Sequence, residues 1–157
     1  MLKLLKNCDV YAPKHLGMRD ILLAGDKIMK VAEKIEGYEG LDGVEVMDLH
    51  GVIVTPGLID IHVHVTGGGG EQGYHSRTPE LNLSELIRSG VTTVLGLLGT
   101  DGTSRSLENL LGKVTALETE GISTYMLTGS YQYPTVTLTG SVLRDIMLID
   151  KIIGAKL

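Results

Sequence analysis

The residues best suited to chemistry are His62 and His64, which stand one residue apart at the end of the apolar run PGLIDIHVH. In a β-strand, residues i and i+2 point to the same face, so the two imidazoles should project together. Two neutral imidazoles on one face can share a divalent cation such as zinc, whereas a single histidine is more often structural. The pair therefore predicts a metal site at the end of a strand.

A glycine-rich loop, GGGGE, follows the histidines almost directly and ends in Glu71. Glycine allows backbone N–H groups to approach a ligand closely, and here it would place the Glu71 carboxylate beside the metal. A run of four glycines is also typical of a flexible loop. Its interpretation as part of a site therefore depends on the two histidines before it.

Composition excludes several classes of protein. The 157 residues carry a formal net charge of −5 with no basic run, which argues against nucleic acid or an anionic membrane as a partner. The one cysteine, Cys8, cannot form an internal disulfide, and the N-terminus lacks the apolar core of a signal peptide. No stretch approaches the roughly 20 apolar residues of a membrane span. We therefore predict a cytoplasmic protein that binds neither nucleic acid nor membrane.

The elements that must position these residues change character at Pro56. Residues 1–55 contain short strand-length runs separated by turn residues, although KIMKVAEKI fits either a strand or a helix. From Pro56 onward, apolar strand-like runs alternate with helix-like runs, as in a parallel sheet. We expect helices in TPELNLSELIRSG, SLENLLGKVTALETEG and TGSVLRDIMLIDKIIG, each ending at a glycine: Gly90, Gly121 and Gly154.

A repeated βα unit predicts either a doubly wound sheet or a (β/α)8 TIM-like barrel. A complete barrel needs about 250 residues, and residues 56–157 hold only three such units and the start of a fourth strand. We interpret the chain as the front part of a larger α/β protein: the first strands and helices of the barrel (56–157), preceded by the N-terminal part of a small β-sandwich domain (1–55). His62 and His64 then lie at the carboxyl end of a barrel strand, where barrel enzymes build active sites.

At these residues the sequence resembles a known family. PGLIDIHVH is similar to the opening signature of the amidohydrolase superfamily of metal-dependent hydrolases. Together with GGGGE, RTPE, GLLGTDGTSR, GISTYMLTGSY and TGSVLRDIMLID, it resembles the isoaspartyl dipeptidases (β-aspartyl peptidases) over nearly the whole chain. The resemblance implies zinc-dependent hydrolysis of β-aspartyl dipeptides by a metal-bound hydroxide, two divalent ions and a homo-oligomer.

The resemblance also implies roles for individual residues. His62, His64 and Lys156 would bind metal, Lys156 as a carbamate formed with carbon dioxide. Glu71 would meet the α-amino group of the substrate, while Thr100 and the backbone of Gly69 would contact its α-carboxylate. Tyr131 would polarise the scissile carbonyl. Taken alone, Lys156 would be interpreted as a solvated lysine.

Further parts of the family's site, namely two histidines, an aspartate, arginines and a serine, would have to come from the remaining C-terminal part of the barrel. Residues 1–157 alone are therefore expected to be inactive. Two other interpretations stay open: a cyclic-amide hydrolase of the dihydroorotase or hydantoinase type, which shares His-x-His and the carbamylated lysine, and a catalytically inert scaffold that has lost its metals.

Overall fold

The computed structural model describes residues 1–156, which form two compact units, Met1–Pro56 and the part from Gly57 onward. Each unit has its own hydrophobic core. The predicted site residues all belong to the second unit.

The first unit is a five-stranded mixed sheet. Its strands are β1 Leu2–Tyr11, β2 His15–Ala24, β3 Lys27–Ala32, β4 Val44–Asp48 and β5 Ile53–Val54. The first three strands form an antiparallel meander, while β4 and β5 both pair parallel with β1. The structure therefore resolves the ambiguity of KIMKVAEKI, because its first six residues form β3.

The second unit is a parallel sheet with helices between its strands. The strands are β6 Leu58–Val63, β7 Val91–Gly96, β8 Ser123–Thr128 and β9 Ile152–Ala155, and the helices are α1 Leu83–Arg88, α2 Leu107–Glu120 and α3 Val142–Leu148. The strands lie side by side in chain order, and each successive pair is parallel. Parallel strands in chain order with a helix in each crossover are the opening of a (β/α)8 barrel.

Helix α2 shows why the sequence specifies these crossovers well. The Ser106 side chain caps its first turn by accepting a hydrogen bond from the backbone N–H of Asn109 at 3.2 Å. The helix ends at Gly121, whose φ of 118° is left-handed and favours glycine. Its apolar face is buried as the spacing predicts, through Leu107, Leu110, Val114 and Leu117.

The end of α3 differs from the prediction. Gly90 and Gly121 follow helices as expected, but Gly154 lies inside strand β9. The helix stops earlier because Ile149 adopts extended backbone, with φ −122° and ψ 101°. The β-branched residues Ile152 and Ile153 then enter the sheet, as their strand propensity favours. The prediction that the third helix runs to Gly154 was wrong.

Within residues 1–156, no helix is long and apolar enough to cross a membrane. The cytoplasmic location, the homo-oligomer and the absence of a nucleic-acid partner stay predictions.

Candidate metal and substrate site

The predicted site residues meet because they follow the carboxyl ends of parallel strands. His62 lies in β6 and His64 directly after it; Lys156 follows β9. Thr100 and Tyr131 lie in the loops after β7 and β8. Carboxyl ends of parallel strands share one edge of the sheet, so residues far apart in the chain reach the same place.

The two histidines lie close together at the end of β6. Their ring centroids are 5.4 Å apart with the ring planes at 84°. The Nδ1 atom of His64 lies 3.0 Å from the carbonyl oxygen of Leu97. Because a carbonyl can only accept a hydrogen bond, Nδ1 carries a proton, which leaves Nε2 as the nitrogen that could bind a metal in the neutral ring. This is the usual pairing of a metal-binding histidine with a backbone carbonyl.

Lys156 is buried at the same edge of the sheet. Its side chain donates from Nζ to the carbonyl oxygen of Leu98 at 2.8 Å, and the residue is only 8% exposed. Since β8 lies between β9 and β7, the lysine side chain reaches across one strand to make this bond. The aromatic ring of Tyr131 covers the same Nζ, with its centroid 4.1 Å away. The alternative of a solvated lysine does not describe this structure.

Glu71 and Thr100 form a direct pair at the mouth of the site. The Thr100 hydroxyl donates a hydrogen bond to Glu71 Oε1 at 2.7 Å. The hydrogen bond from Thr100 is the largest cause that lowers the pKa of Glu71 below its usual value. A backbone hydrogen bond of Glu71 and the charge of His64 lower it further. Glu71 is therefore an exposed carboxylate that stays ionised at neutral pH.

The glycine loop folds back on itself more than it opens toward a ligand. A Cβ atom at Gly67 would lie 2.3 Å from the carbonyl oxygen of Thr78, and one at Gly69 would lie 2.3 Å from that of Ser76. Both glycines also have positive φ, 87° and 74°. Among residues 1–156, the N–H of Gly69 has no hydrogen-bond partner, whereas those of its neighbours Gly68 and Gly70 bond to side chains of the returning loop. Gly69 is thus a position at which the loop offers a backbone donor.

Sequence reasoning gave Arg105 no role, although its loop lies beside the site. It is 6% exposed, and its guanidinium donates to the carbonyl oxygens of Gly68 at 2.9 Å and Thr78 at 2.7 Å. Burial lowers the pKa of Arg105 from its ordinary value. A single arginine before a helix cap carries no signal that separates it from a surface charge, so only the structure shows this contact.

Two aspartates stabilise the loops around the site. Asp101 accepts hydrogen bonds from the Ser104 side chain and from the backbone N–H groups of Ser104 and Thr103, and these bonds, led by the side-chain hydroxyl, lower its pKa to about 2. Asp145 is fully buried, which raises its pKa, but hydrogen bonds from Thr128, Leu138 and Thr139 outweigh burial and leave the pKa low. Both carboxylates are saturated by donors and serve the fold.

The side chains of His62, His64 and Lys156 could supply part of a metal site. In the described residues, no three His, Cys, Asp or Glu side chains converge. The candidates are the two imidazoles and Lys156, which becomes an oxygen ligand only as a carbamate. The free Nε2 of His64 and the burial of Lys156 beside backbone carbonyls agree with ligand roles.

The chain is similar to solved structures of one enzyme over its whole length. Beta-aspartyl dipeptidase from Fervidobacterium islandicum AW-1, in complex with the beta-Asp-Leu dipeptide, matches with 51% sequence identity and a TM-score of 0.94. The match covers 100% of this chain and 41% of that chain, in its N-terminal part. The predicted fold class, the opening of a TIM-like barrel behind a small β domain, is confirmed.

Curated relatives match a smaller part of the chain. Dihydroorotase of Staphylococcus aureus (strain MRSA252) is 35% identical over 108 residues, which is 69% of this chain and 24% of the relative. Dihydroorotase of Bacillus thuringiensis (strain Al Hakam) is 38% identical over 81 residues, 52% of this chain and 17% of the relative. The chain thus spans at most about a quarter of the length of these relatives.

The sequence model of the Amidohydrolase family matches residues 53–138, which is more than half of the chain. These residues include His62, His64, Glu71, Thr100 and Tyr131, and Lys156 lies beyond the match. The two strand-end histidines, the parallel strands that carry them and this match agree, and the chain belongs to the amidohydrolase family.

Proposed function

We propose that the protein carrying this chain as its N-terminal part is a metal-dependent isoaspartyl dipeptidase, which hydrolyses the side-chain amide bond of β-aspartyl dipeptides. His62, His64 and Lys156 as a carbamate would hold two divalent ions, with zinc as our choice, and further ligands would come from the rest of the barrel. The observation that carries the proposal is the Glu71–Thr100 pair, with 2.7 Å between the two oxygens, at the strand ends beside His64.

The substrate's headgroup explains this pair. An isoaspartyl dipeptide carries a free α-ammonium and a free α-carboxylate on one carbon, close to the scissile amide. A site for it needs an anion for the ammonium and hydrogen-bond donors for the carboxylate. Glu71 supplies the anion, while the Gly69 N–H and the Thr100 hydroxyl supply donors.

The Thr100 hydroxyl has a single proton, which it gives to Glu71 in this structure. A substrate ammonium that pairs with Glu71 would take the place of the Thr100 hydrogen bond and leave the hydroxyl free to rotate. The freed hydroxyl could then donate to the substrate's α-carboxylate on the same carbon. Binding of the ammonium would thereby make the Thr100 hydroxyl available as a donor to the carboxylate.

Tyr131 would act on the reacting carbonyl. When bound, the ions would lower the pKa of a water molecule and polarise the carbonyl. The Tyr131 hydroxyl would donate a hydrogen bond to the carbonyl oxygen as negative charge develops there. In this structure the Tyr131 ring lies at the same edge of the sheet, with its centroid 4.1 Å from Lys156 Nζ.

A cyclic-amide hydrolase is the second candidate, because the curated relatives at 35% and 38% identity are dihydroorotases. Dihydroorotate has a carboxylate but no ammonium, so the ionised Glu71 would face no cation. An unmatched charge in a partly desolvated site disfavours binding. The whole-chain similarity at 51% identity also favours the dipeptidase.

The deciding experiment compares substrates on the complete, metal-loaded enzyme. We expect kcat/KM for β-Asp-Leu to exceed that for α-Asp-Leu and for dihydroorotate by at least about 100-fold, because only the first matches both headgroup charges at the correct amide. A higher value for dihydroorotate would overturn the dipeptidase assignment. Metal analysis of the same sample separates the inert-scaffold alternative, which predicts neither bound metal nor turnover.

A further inference from the structure

Glu71 lies in a loop whose two ends are joined at a narrow neck. The Gly68 N–H donates to the Thr78 hydroxyl at 2.8 Å, and the Thr78 N–H donates to the Gly68 carbonyl at 2.9 Å. Inside the neck, the Ser76 hydroxyl accepts from the N–H groups of Gly70 and Gln72. The loop from 68 to 78 is therefore a closed unit fastened by hydrogen bonds.

Arg105 occupies the outside of this neck and contacts both sides of it. Nη1 donates to the carbonyl oxygen of Gly68 at 2.9 Å, and Nη2 donates to that of Thr78 at 2.7 Å. The guanidinium also packs tightly on the backbone, since a Cβ atom at Gly67 would lie 2.7 Å from Nη2. The Arg105 side chain, from the loop before α2, thus holds together the two chain segments of the neck.

Arg105 lacks the partner that usually accompanies a buried cation. The ion pairs formed within residues 1–156 do not include Arg105, although the residue is 6% exposed. Burying a charge is unfavourable unless it is hydrogen-bonded or paired. Here the compensation comes from the loop's own carbonyls, so the positions of the arginine and the loop depend on each other.

We propose that Arg105 is a positioning residue: it clamps the neck of the 68–78 loop and thereby holds Glu71 and the Gly69 N–H where they meet the substrate headgroup. The effect of the clamp on catalysis rests on the proposed dipeptidase function, whereas its effect on loop closure does not. Because Glu71 is itself exposed and, among residues 1–156, is held from outside the loop only by Thr100, its position depends on the loop being closed.

The first test measures loop opening directly. Arg77 lies within the loop, so trypsin cleavage between Arg77 and Thr78, followed by mass spectrometry, reports when the neck opens. In the complete, metal-loaded enzyme, Arg105→Met should speed this cleavage by about tenfold or more, and Arg105→Lys should give an intermediate rate. Arg88→Met, at an exposed arginine in the last turn of α1, is the matched control and should leave the rate unchanged.

The second test is a double-mutant cycle with Glu71→Gln, read as kcat/KM for β-Asp-Leu. Alone, Arg105→Met should lower kcat/KM by about tenfold, chiefly through a higher KM. In the Glu71→Gln background the same change should lower kcat/KM clearly less than tenfold, because the part of its influence that passes through Glu71 is already lost and only the part through the Gly69 N–H remains. A merely structural role for Arg105 predicts equal losses in both backgrounds.

The outcomes separate the two proposals. Wild-type cleavage in a folded Arg105→Met variant, or equal losses in both backgrounds, would overturn the clamp while leaving the dipeptidase assignment intact. If Arg105→Met does not fold, Arg105→Lys decides, because it keeps the charge but loses the paired Nη1 and Nη2 donors that contact the two carbonyls: unchanged cleavage in that variant also overturns the clamp. If the wild-type enzyme does not hydrolyse β-Asp-Leu, the dipeptidase proposal fails. The rates of trypsin cleavage after Arg77 then test the clamp by themselves.

Discussion

The strand ends that carry the candidate metal ligands differ from the glycine loop that carries Glu71 in what holds their side chains in place. His62 is part of β6, and Lys156 directly follows β9, where its own N–H still donates to the Thr128 carbonyl at 2.7 Å. Glu71 lies outside regular structure, in a loop closed by side-chain hydrogen bonds.

Under the proposed function, the difference separates the two tasks of the site, metal binding and recognition of the substrate headgroup. A metal ligand must keep a fixed position, and backbone hydrogen bonds of a parallel sheet over a packed core provide it. A headgroup receptor must admit and release a charged molecule, and an exposed loop allows this. Changes at the strand ends should therefore abolish chemistry, whereas changes in the loop should alter substrate preference or local stability.

The largest effect is expected at Lys156. In the complete enzyme, Lys156→Ala should empty at least one metal site and lower kcat by more than about 100-fold, because the proposed carbamate ligand would be lost. Lys151→Ala is the matched control: Lys151 precedes the same strand at its other end, where its Nζ donates to Glu118 and to the Thr124 carbonyl. Metal analysis and turnover should be near normal in that control. Full metal content and full activity in Lys156→Ala would refute the ligand role.

A smaller effect is expected at Glu71. Glu71→Gln keeps the shape of the side chain but removes the charge that would pair with the substrate's ammonium. We expect kcat/KM for β-Asp-Leu to fall about ten- to a hundredfold with metal content unchanged, as the separation of tasks requires. Glu120→Gln, at an exposed residue of α2, should leave both quantities unchanged. Loss of metal in Glu71→Gln would show that the loop and the strand ends are not separate.

The smallest effect is expected at Asp101, where only stability of the loop should change. The hydrogen bonds led by the Ser104 hydroxyl lower the pKa of Asp101 from its usual 3.8 to about 2. A carboxylate whose pKa is lower in the folded protein stabilises it fully above pH 3.8, and this contribution is lost as the pH falls toward 2. Asp101→Asn should thus lower the unfolding midpoint by about 1–2 °C at neutral pH.

Thermal unfolding followed at several pH values checks this prediction. The difference between wild type and Asp101→Asn should be constant at neutral pH and should shrink as the pH falls below 3.8. A difference that grows toward acid pH would contradict the hydrogen-bond explanation. Ser104→Ala should reproduce the same pH dependence, because it removes the donor that contributes most.

Local sequence patterns predicted most of the second unit. The apolar spacing of α2 and the glycines after α1 and α2 are short-range signals, since they act within a turn or two of the chain. The pairing of His62 with His64 follows from strand periodicity alone. The end of α3 was mispredicted because IIG can continue a helix or begin a strand, and the sheet decides between the two.

By itself, therefore, the sequence determined the order of the elements, the two histidines at the end of one strand and the resemblance that pointed to Glu71, Thr100, Tyr131 and Lys156. Only the tertiary structure decided that Lys156 is buried under Tyr131, that Thr100 gives its proton to Glu71, and that Arg105 fastens the glycine loop. The physical reason is distance along the chain. These contacts join residues about 25 to 37 positions apart, and no local pattern encodes which side chains the parallel strand ends bring together.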